Sequence, residues 1–352
     1  MAINSIEQIA EYIRNYDGPP VKFMEVCGTH TQAVFRTGIR GILPPSITLL
    51  SGPGCPVCVT PAGYLDRAGE LSKESNTALC TFGDMMRVPG NFGTLLEAKA
   101  AGGDVRMLYS PMTALEWAKQ EPDRQFVLTA VGFETTLPVY ALLLQRLKED
   151  NVRNLRLLVC VKALMPALYW ICENNPDIDG FIGPGHASAI LGSEAYVDLC
   201  KTYRIPLAVG GFSYEHILAA IYNLLGQHKS GTSDVRNLYP GTVAANGNPS
   251  ALALINKYFV QQDSQWRGLG SIEGSAYALR DEYSEYDAGG YDTTRDASPK
   301  SGCLCSRVII GRAQPVDCPH FKKACTPMTP LGPCMVTSEG ACGIWHAHAV
   351  NA

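Results

Sequence analysis

One unit recurs along most of this chain: a short apolar run, a glycine-rich loop, then a segment of helical periodicity. Ile47 to Leu50 runs into SGPGCPVC and a helical pattern from about Pro61 to Leu71. Thr77 to Phe82 runs into GDMMRVPG and a helix around Thr94 to Ala101. Phe126 to Ala130 leads through VGFETT to a helix from Pro138 to Glu149, and Leu155 to Val161 to a helix ending near Glu173. Phe181 and Ile182 lead into GPGHAS and a helix to Tyr203; Leu207 to Val209 lead into GGF and a helix from Tyr214 to Gln227. Strands apolar on both faces need cover on both sides, and alternation with helices supplies it, so the pattern predicts an α/β fold built on parallel sheet. Ligands of such sheets gather at the C-terminal strand ends, where these loops lie.

Two of the loops match. Gly52-Pro53-Gly54 precedes Cys55, and Gly183-Pro184-Gly185 precedes His186. They suggest two related halves divided near residue 122; the plain alternative is that Gly-Pro turns are common. No strand is followed by G-x-G-x-x-G or by G-x-x-x-x-G-K-[ST], so no nucleotide fingerprint is present. After about residue 229 the pattern fades. Residues 228–248 look like a boundary, residues 281–302 read as a polar, exposed linker, and the remainder is rich in Cys, Pro and Gly.

Composition narrows the function. With 352 residues the chain suits two or three domains. A net charge of −4 and no basic stripe argue against nucleic acid and against an anionic membrane surface. The N-terminus has neither the basic nor the apolar region of a signal peptide. Ile3, Ile6, Ile9 or Ala10, and Ile13 instead form an amphipathic helical pattern that Ser5 can cap. No apolar run approaches the ~18 residues of a membrane span. A cytosolic place is expected, where clustered cysteines mean metal or redox chemistry rather than structural disulfides.

There are 13 cysteines, six of them between Cys303 and Cys342. Cys318, Cys325, Cys334 and Cys342 are spaced C-x6-C-x8-C-x7-C among prolines and glycines. So irregular a segment has little apolar surface of its own, and a metal centre would supply the missing stabilisation. Structural zinc usually takes close ligand pairs. Four evenly spread thiolates suit a [4Fe–4S] cluster better, with zinc and plain buried cysteines as alternatives. The upstream pair Cys303 and Cys305 offers alternative ligands or has no role.

At the other end, Phe23 to Val26 reads as a strand end before Cys27-Gly28-Thr29-His30. Thr29 with Gln32 has capping-box form, which places Cys27 at a helix N-terminus where the dipole lowers a thiol pKa. His30 can add positive charge or a hydrogen bond; an inert core cysteine is the alternative. Cys55-Pro56-Val57-Cys58 lies before a helix expected to be capped by Thr60 with Pro61 at its first position. This is the arrangement of a redox dithiol, or half of a zinc site. Cys80, Cys160, Cys172 and Cys200 sit in apolar patterns as core residues. Asp84, Arg87, Glu134, Thr135, Thr136 and His186 share strand-end positions and are candidates for one cleft.

Together these motifs resemble the HypD family of hydrogenase maturation factors. The matching stretches are FMEVCGTHT (23–31), SGPGCPVC (51–58), TFGDMMRVPG (81–90), GFETT (132–136), GPGHAS (183–188), WRGLG (266–270) and DCPHFKKACTPMTPLGPCMVTSEGAC (317–342). The resemblance implies two similar Rossmann-like domains plus a C-terminal irregular, helical iron–sulfur domain. The expected boundaries are 46–122, 123–245, and a third domain from 1–45 and 246–352 with its cluster segment at 303–342. It implies assembly of the Fe(CN)2CO unit of [NiFe]-hydrogenases, by an assembly scaffold rather than a stand-alone enzyme. Cys27 then corresponds to the iron-holding thiol, Cys55 and Cys58 to a redox pair, and Cys318, Cys325, Cys334 and Cys342 to [4Fe–4S] ligands. Expected partners are a HypC-type chaperone, which carries the iron, and a HypE-type cyanide donor; the free protein is expected to be a monomer. His30, Asp84, Glu134 and His186 complete the candidate catalytic set. The stretch 271–302 diverges, and His346 and His348 have no assigned role. Without the resemblance, the same thiols also allow a general iron–sulfur thiol–disulfide oxidoreductase or a structural zinc protein.

Overall fold

The computed structural model describes residues 5–175, 177–294 and 302–348. It contains two sheets. The first is wholly parallel, in the order β2-β1-β7-β8-β9, formed by β1 (Val21–Glu25), β2 (Ile47–Ser51), β7 (Gly180–Pro184), β8 (Leu207–Gly210) and β9 (Val235–Asn237). The second runs β10-β11-β6-β5-β3-β4. Its parallel part comprises β3 (Thr77–Phe82), β4 (Val105–Leu108), β5 (Gln125–Gly132) and β6 (Leu155–Lys162). The antiparallel hairpin β10 (Phe259–Trp266) and β11 (Gly270–Leu279) adds through β11 to β6. The α/β class with Rossmann-like sheets therefore holds. Among the described residues no helix is long and apolar enough to cross a membrane.

The sheets do not divide at residue 122. Residues 46–122 send β2 to the first sheet and β3 and β4 to the second; residues 123–245 are split in the same way. The first Gly-Pro-Gly follows β2, whereas in the second Gly183 and Pro184 end β7 and Gly185 opens helix Gly185–Leu191; the two strands flank β1. Parallel neighbours are chosen by where each crossover helix packs, and the recurring strand–helix unit carries no record of that choice. β1, visible in sequence only as a strand end, lies between β2 and β7 and joins them.

Two further expectations change. The segment after residue 280 is not an exposed linker as far as residue 294. Tyr283 and Tyr286 in the turn Asp281–Tyr286 are buried against the second sheet, Asp287 bridges to Leu157, and Tyr291 meets the Tyr64 ring edge-on at 5.1 Å. Residues 295–301 lie outside the described part. Residues 228–248 are not a plain boundary either, since helix Tyr214–Ser230 ends there and β9 adds to the first sheet. Local signals behaved better: Ser5 caps helix Ile6–Arg14, and Thr94 with Glu97 closes a capping box on Leu95–Ala100.

The C-terminal cysteine segment packs on the first sheet. Cys305, Cys318, Phe321, Cys334, Cys342 and Trp345 share one core with Met24, Leu50, Phe181 and Leu207. Helix Ala341–His348 lies on helix Gly28–Arg36, with Trp345 edge-on to Phe35 at 5.1 Å and His348 stacked on Phe35 at 6.0 Å.

Candidate thiol and metal site

The strand order brings three loops together. β2, β1 and β7 are neighbours in register, Glu25 opposite both Ser51 and Ile182. Their C-terminal ends therefore deliver Cys27, Cys55 and His186 to one edge of the first sheet. Gly54 makes this approach possible: a Cβ there would collide with the Val26 carbonyl and the Cys27 Cα. A Cβ on Gly28 would collide with the Glu339 carbonyl, so the C-terminal segment closes over the same place. Loops of the second sheet complete a cavity of about 140 Å³. Cys27, Thr135, Thr136, His186 and Glu339 line it, with Pro56 of the disulfide loop.

Cys27 is itself the N-cap of helix Gly28–Arg36, without a side-chain capping bond, so the expected Thr29 cap does not form. Its thiol pKa is raised, not lowered. Burial dominates, and the hydrogen bonds around Thr29 offset it only in part. His30 does not help it. That ring is 0 % exposed, donates Nε2–H to the Gly211 carbonyl at 3.0 Å and lies against Phe212 at 4.6 Å. Burial lowers its pKa to about 4, so it is a neutral packing group and does not line the cavity.

Cys55 and Cys58 are joined in a disulfide, and both are buried. Cys55 caps the short helix Pro56–Val59, its Sγ accepting from the Cys58 N–H at 3.1 Å. Thr60 ends that helix instead of starting the next, and Pro61 precedes Ala62–Leu71. The other four cysteines assigned to the core, Cys80, Cys160, Cys172 and Cys200, are all buried.

Other candidates separate into groups. His186 lies tilted against Phe212 at 4.3 Å, and burial lowers its pKa. Glu134 sits behind the cavity wall, 2 % exposed, accepting from the Leu164 N–H at 2.8 Å. Burial raises its pKa to about 7. Asp84 is half-buried near Glu339, whose pKa is raised by burial and by the Asp84 charge. Arg87 donates to the Pro327 carbonyl at 3.2 Å, tying the second sheet to the C-terminal segment. Glu339 escaped the sequence reading; its only signal was its place between Cys334 and Cys342.

The C-terminal segment forms a nest of sulfurs. Cys318, Cys325, Cys334 and Cys342 are all buried, and Cys303 and Cys305 join them. The Cys305 thiol hydrogen-bonds with Cys334, which together with burial raises its pKa well above the ordinary range. Burial and the nearby Cys305 push Cys303 up to about 12. Backbone N–H groups already point at sulfur, Leu331 to Cys325 at 3.4 Å and Cys342 to Cys334 at 3.2 Å. N–H···S bonds of this kind orient and tune a metal-bound thiolate. Among the described residues, no three His, Cys, Asp or Glu side chains already stand as ligands to a single ion. The donor set, all sulfur with backbone donors, fits an iron–sulfur group.

A cavity thiol beside a buried disulfide and a nest of cysteines defines a cysteine-rich α/β protein whose loops gather thiols. The chain belongs to the HypD family: the family model described as "Hydrogenase formation hypA family" matches residues 2–349. It is 41 % identical over 338 residues to the hydrogenase maturation factor HypD of Azotobacter vinelandii, covering 93 % of this chain and 89 % of the relative. Against HypD of Escherichia coli (strain K12) identity is 39 % over 354 residues, covering 98 % and 94 %. Against HypD of Rhizobium leguminosarum bv. viciae it is 41 % over 355 residues, covering 97 % and 91 %. The protein is a hydrogenase maturation factor.

Proposed function

We propose that this maturation factor is the scaffold on which the Fe(CN)2CO unit of a [NiFe]-hydrogenase is assembled, with the Cys27 sulfur as iron ligand. One observation carries the reading: Cys27 is the thiol that opens into a cavity built from the strand ends of both sheets, beside the Cys55–Cys58 loop. A thiolate is a soft ligand suited to iron that carries strong-field ligands. Burial disfavours the free thiolate, so Cys27 ionises most readily as it binds a metal. A HypC-type chaperone would bring the iron with a second thiolate, and a HypE-type partner would deliver cyanide from a thiocyanate. Breaking that sulfur–carbon bond into thiolate and cyanide consumes an electron pair, which a Cys55/Cys58 dithiol releases on closing to the disulfide. Cys318, Cys325, Cys334 and Cys342 would hold a [4Fe–4S] cluster, which would supply electrons one at a time. A monomer working in the reducing cytosol fits this role. Burial of both disulfide sulfurs, at 4 % and 1 % exposure, argues against a general oxidoreductase, because a large protein disulfide has no access to them.

The test is anaerobic infrared spectroscopy of the complex with the chaperone. In Cys27→Ala the cyanide and carbonyl stretches and the chaperone-bound iron are lost, while the cluster absorbance stays. Iron retention at the wild-type level overturns the assignment.

A further inference from the structure

One aromatic ring lies between the two motif histidines, His30 and His186. Phe212, in the loop after β8, packs on His30 at 4.6 Å with the rings 35° apart, and on His186 at 4.3 Å with the rings 37° apart. The His30 side of this stack is fixed. His30 is fully buried in helix Gly28–Arg36 and donates Nε2–H at 3.0 Å to the carbonyl of Gly211, the neighbour of Phe212 in the chain. The loop is fixed from its other end too. Ser213 caps helix Tyr214–Ser230, its Oγ accepting from the His216 N–H at 3.3 Å. A Cβ on Gly211 would stand 2.5 Å from His216 Nδ1. The His186 side is open. His186 is an exposed residue that lines the cavity, and among the described residues no hydrogen bond holds its ring. Gly185 lets that ring reach its support. A Cβ there would stand 2.7 Å from the Gly210 carbonyl oxygen and 3.4 Å from the Phe212 ring, so glycine keeps the ends of β7 and β8 this close.

We propose that Phe212 is a positioning residue: braced by His30, its ring holds the His186 imidazole at the wall of the Cys27 cavity. The use of that imidazole rests on the reading of the cavity as the place of assembly. Among the residues that line the cavity, His186 alone carries an imidazole, which donates a proton at one nitrogen and accepts at the other. An exposed side chain loses rotamer entropy when it is held in one geometry, and the ring–ring contact offsets that loss. Fixed geometry matters for such a group, because a misplacement of about 1 Å can slow a reaction on the order of 100-fold. The loop that opens at Cys27 thus makes two contributions. Cys27 faces the cavity, and His30 backs the ring that steadies the opposite wall.

The experiment uses the full-length protein as wild type, Phe212→Leu, Phe212→Tyr, His186→Gln and the double variant of Phe212→Leu with His186→Gln. With 13C-labelled histidine, the ring-proton resonance of His186 is identified by its loss in His186→Gln. It is measured at about pH 8, where an imidazole is neutral. In wild type and Phe212→Tyr it should lie upfield, shielded by the aromatic face; in Phe212→Leu it should move to the position of free histidine. The complex with the chaperone is then followed by anaerobic infrared spectroscopy. Phe212→Leu should gain the cyanide and carbonyl bands about tenfold more slowly than wild type, with unchanged cluster absorbance, while Phe212→Tyr keeps pace. The double variant should be no slower than His186→Gln alone, because the ring acts through the histidine. A His186 resonance that does not respond to Phe212→Leu overturns the proposal. So does a double variant slower than His186→Gln by the full factor of the leucine change, and so does a tyrosine variant that follows the leucine one. Should Phe212→Leu not fold, Phe212→Met takes its place with the same expectation. A wild-type complex that never gains the bands overturns the assembly reading, and the ring resonance alone then decides whether Phe212 holds His186.

Discussion

His30 and Cys27 are near neighbours in sequence, yet one is sealed in the core and the other faces the cavity. Helical geometry turns them to different sides, and burial then sets their chemistry. The lowered pKa of His30 has a defined consequence. Between its ordinary value of 6.5 and about 4 the unfolded chain binds a proton that the native chain does not. The stability contributed by neutral His30 is therefore full above pH 6.5 and lost as pH falls toward 4, by at most about 3 kcal/mol. His186 and His216 add to the penalty for protonation. Glu134 has the opposite sign: its raised pKa removes stability as pH climbs from 4.5 to about 7. The thermal midpoint of His30→Gln, which keeps an N–H for the Gly211 carbonyl, should accordingly fall less on acidification than that of wild type. Parallel pH profiles would refute this account of His30.

Loops and strands decide how closely the thiols meet. Gly54 is needed because its loop runs against the Cys27 backbone, so Gly54→Ala must push the Cys55 and Cys27 loops apart. Overpacking of this kind costs about 1–3 kcal/mol. Thermal denaturation should show that loss, and Cys27 should be alkylated faster than in wild type; an unchanged alkylation rate counts against the close approach. The strands flanking these loops were legible because their apolar runs and glycine-rich ends are local signals. The β10–β11 hairpin was not. Its β10 half is largely exposed, with VQQDSQ carrying little apolar alternation, and the partner of β11 lies far back in the sequence at β6. The caps at Thr29 and Thr60 failed because each helix starts one step away: Cys27 takes the cap position before Gly28, and Thr60 closes the short helix Pro56–Val59 while Pro61 precedes Ala62–Leu71.

Across the whole molecule, the cysteine nest and the Cys27 loop are mechanically joined. Arg40 lies over Trp345 at 4.4 Å and over Phe35 at 4.8 Å, and faces the fully buried Glu25 at 4.0 Å. One charged group thus links the strand that leads into Cys27 with the helix that carries Cys342. Burial raises the Glu25 pKa and Arg40 opposes that shift, so removing Arg40 would leave the carboxyl without its partner and unsettle both elements. Removing the proposed cluster should therefore loosen more than its own segment. Hydrogen exchange and limited proteolysis should then reach residues 302–348, and Cys27 should become more reactive, while β3, β5 and β6 keep their protection. Unchanged Cys27 reactivity in the cluster-free protein would show that the two regions are independent.

The α/β class, most strands and helices, and the cysteines that matter are written in local patterns: apolar runs, glycine-rich loops and thiol spacing. The motifs were also sufficient for the family. Which strands become neighbours, which end of the chain closes over the cavity, and which groups lose their water are sums over contacts distant in sequence. Those sums put Cys27 beside Cys55 and His186, brought the Cys303 and Cys305 pair to the other cysteines, added Glu339, and removed His30. They also reversed the expected shift at Cys27, because desolvation by the assembled core outweighs the favourable end of a single helix.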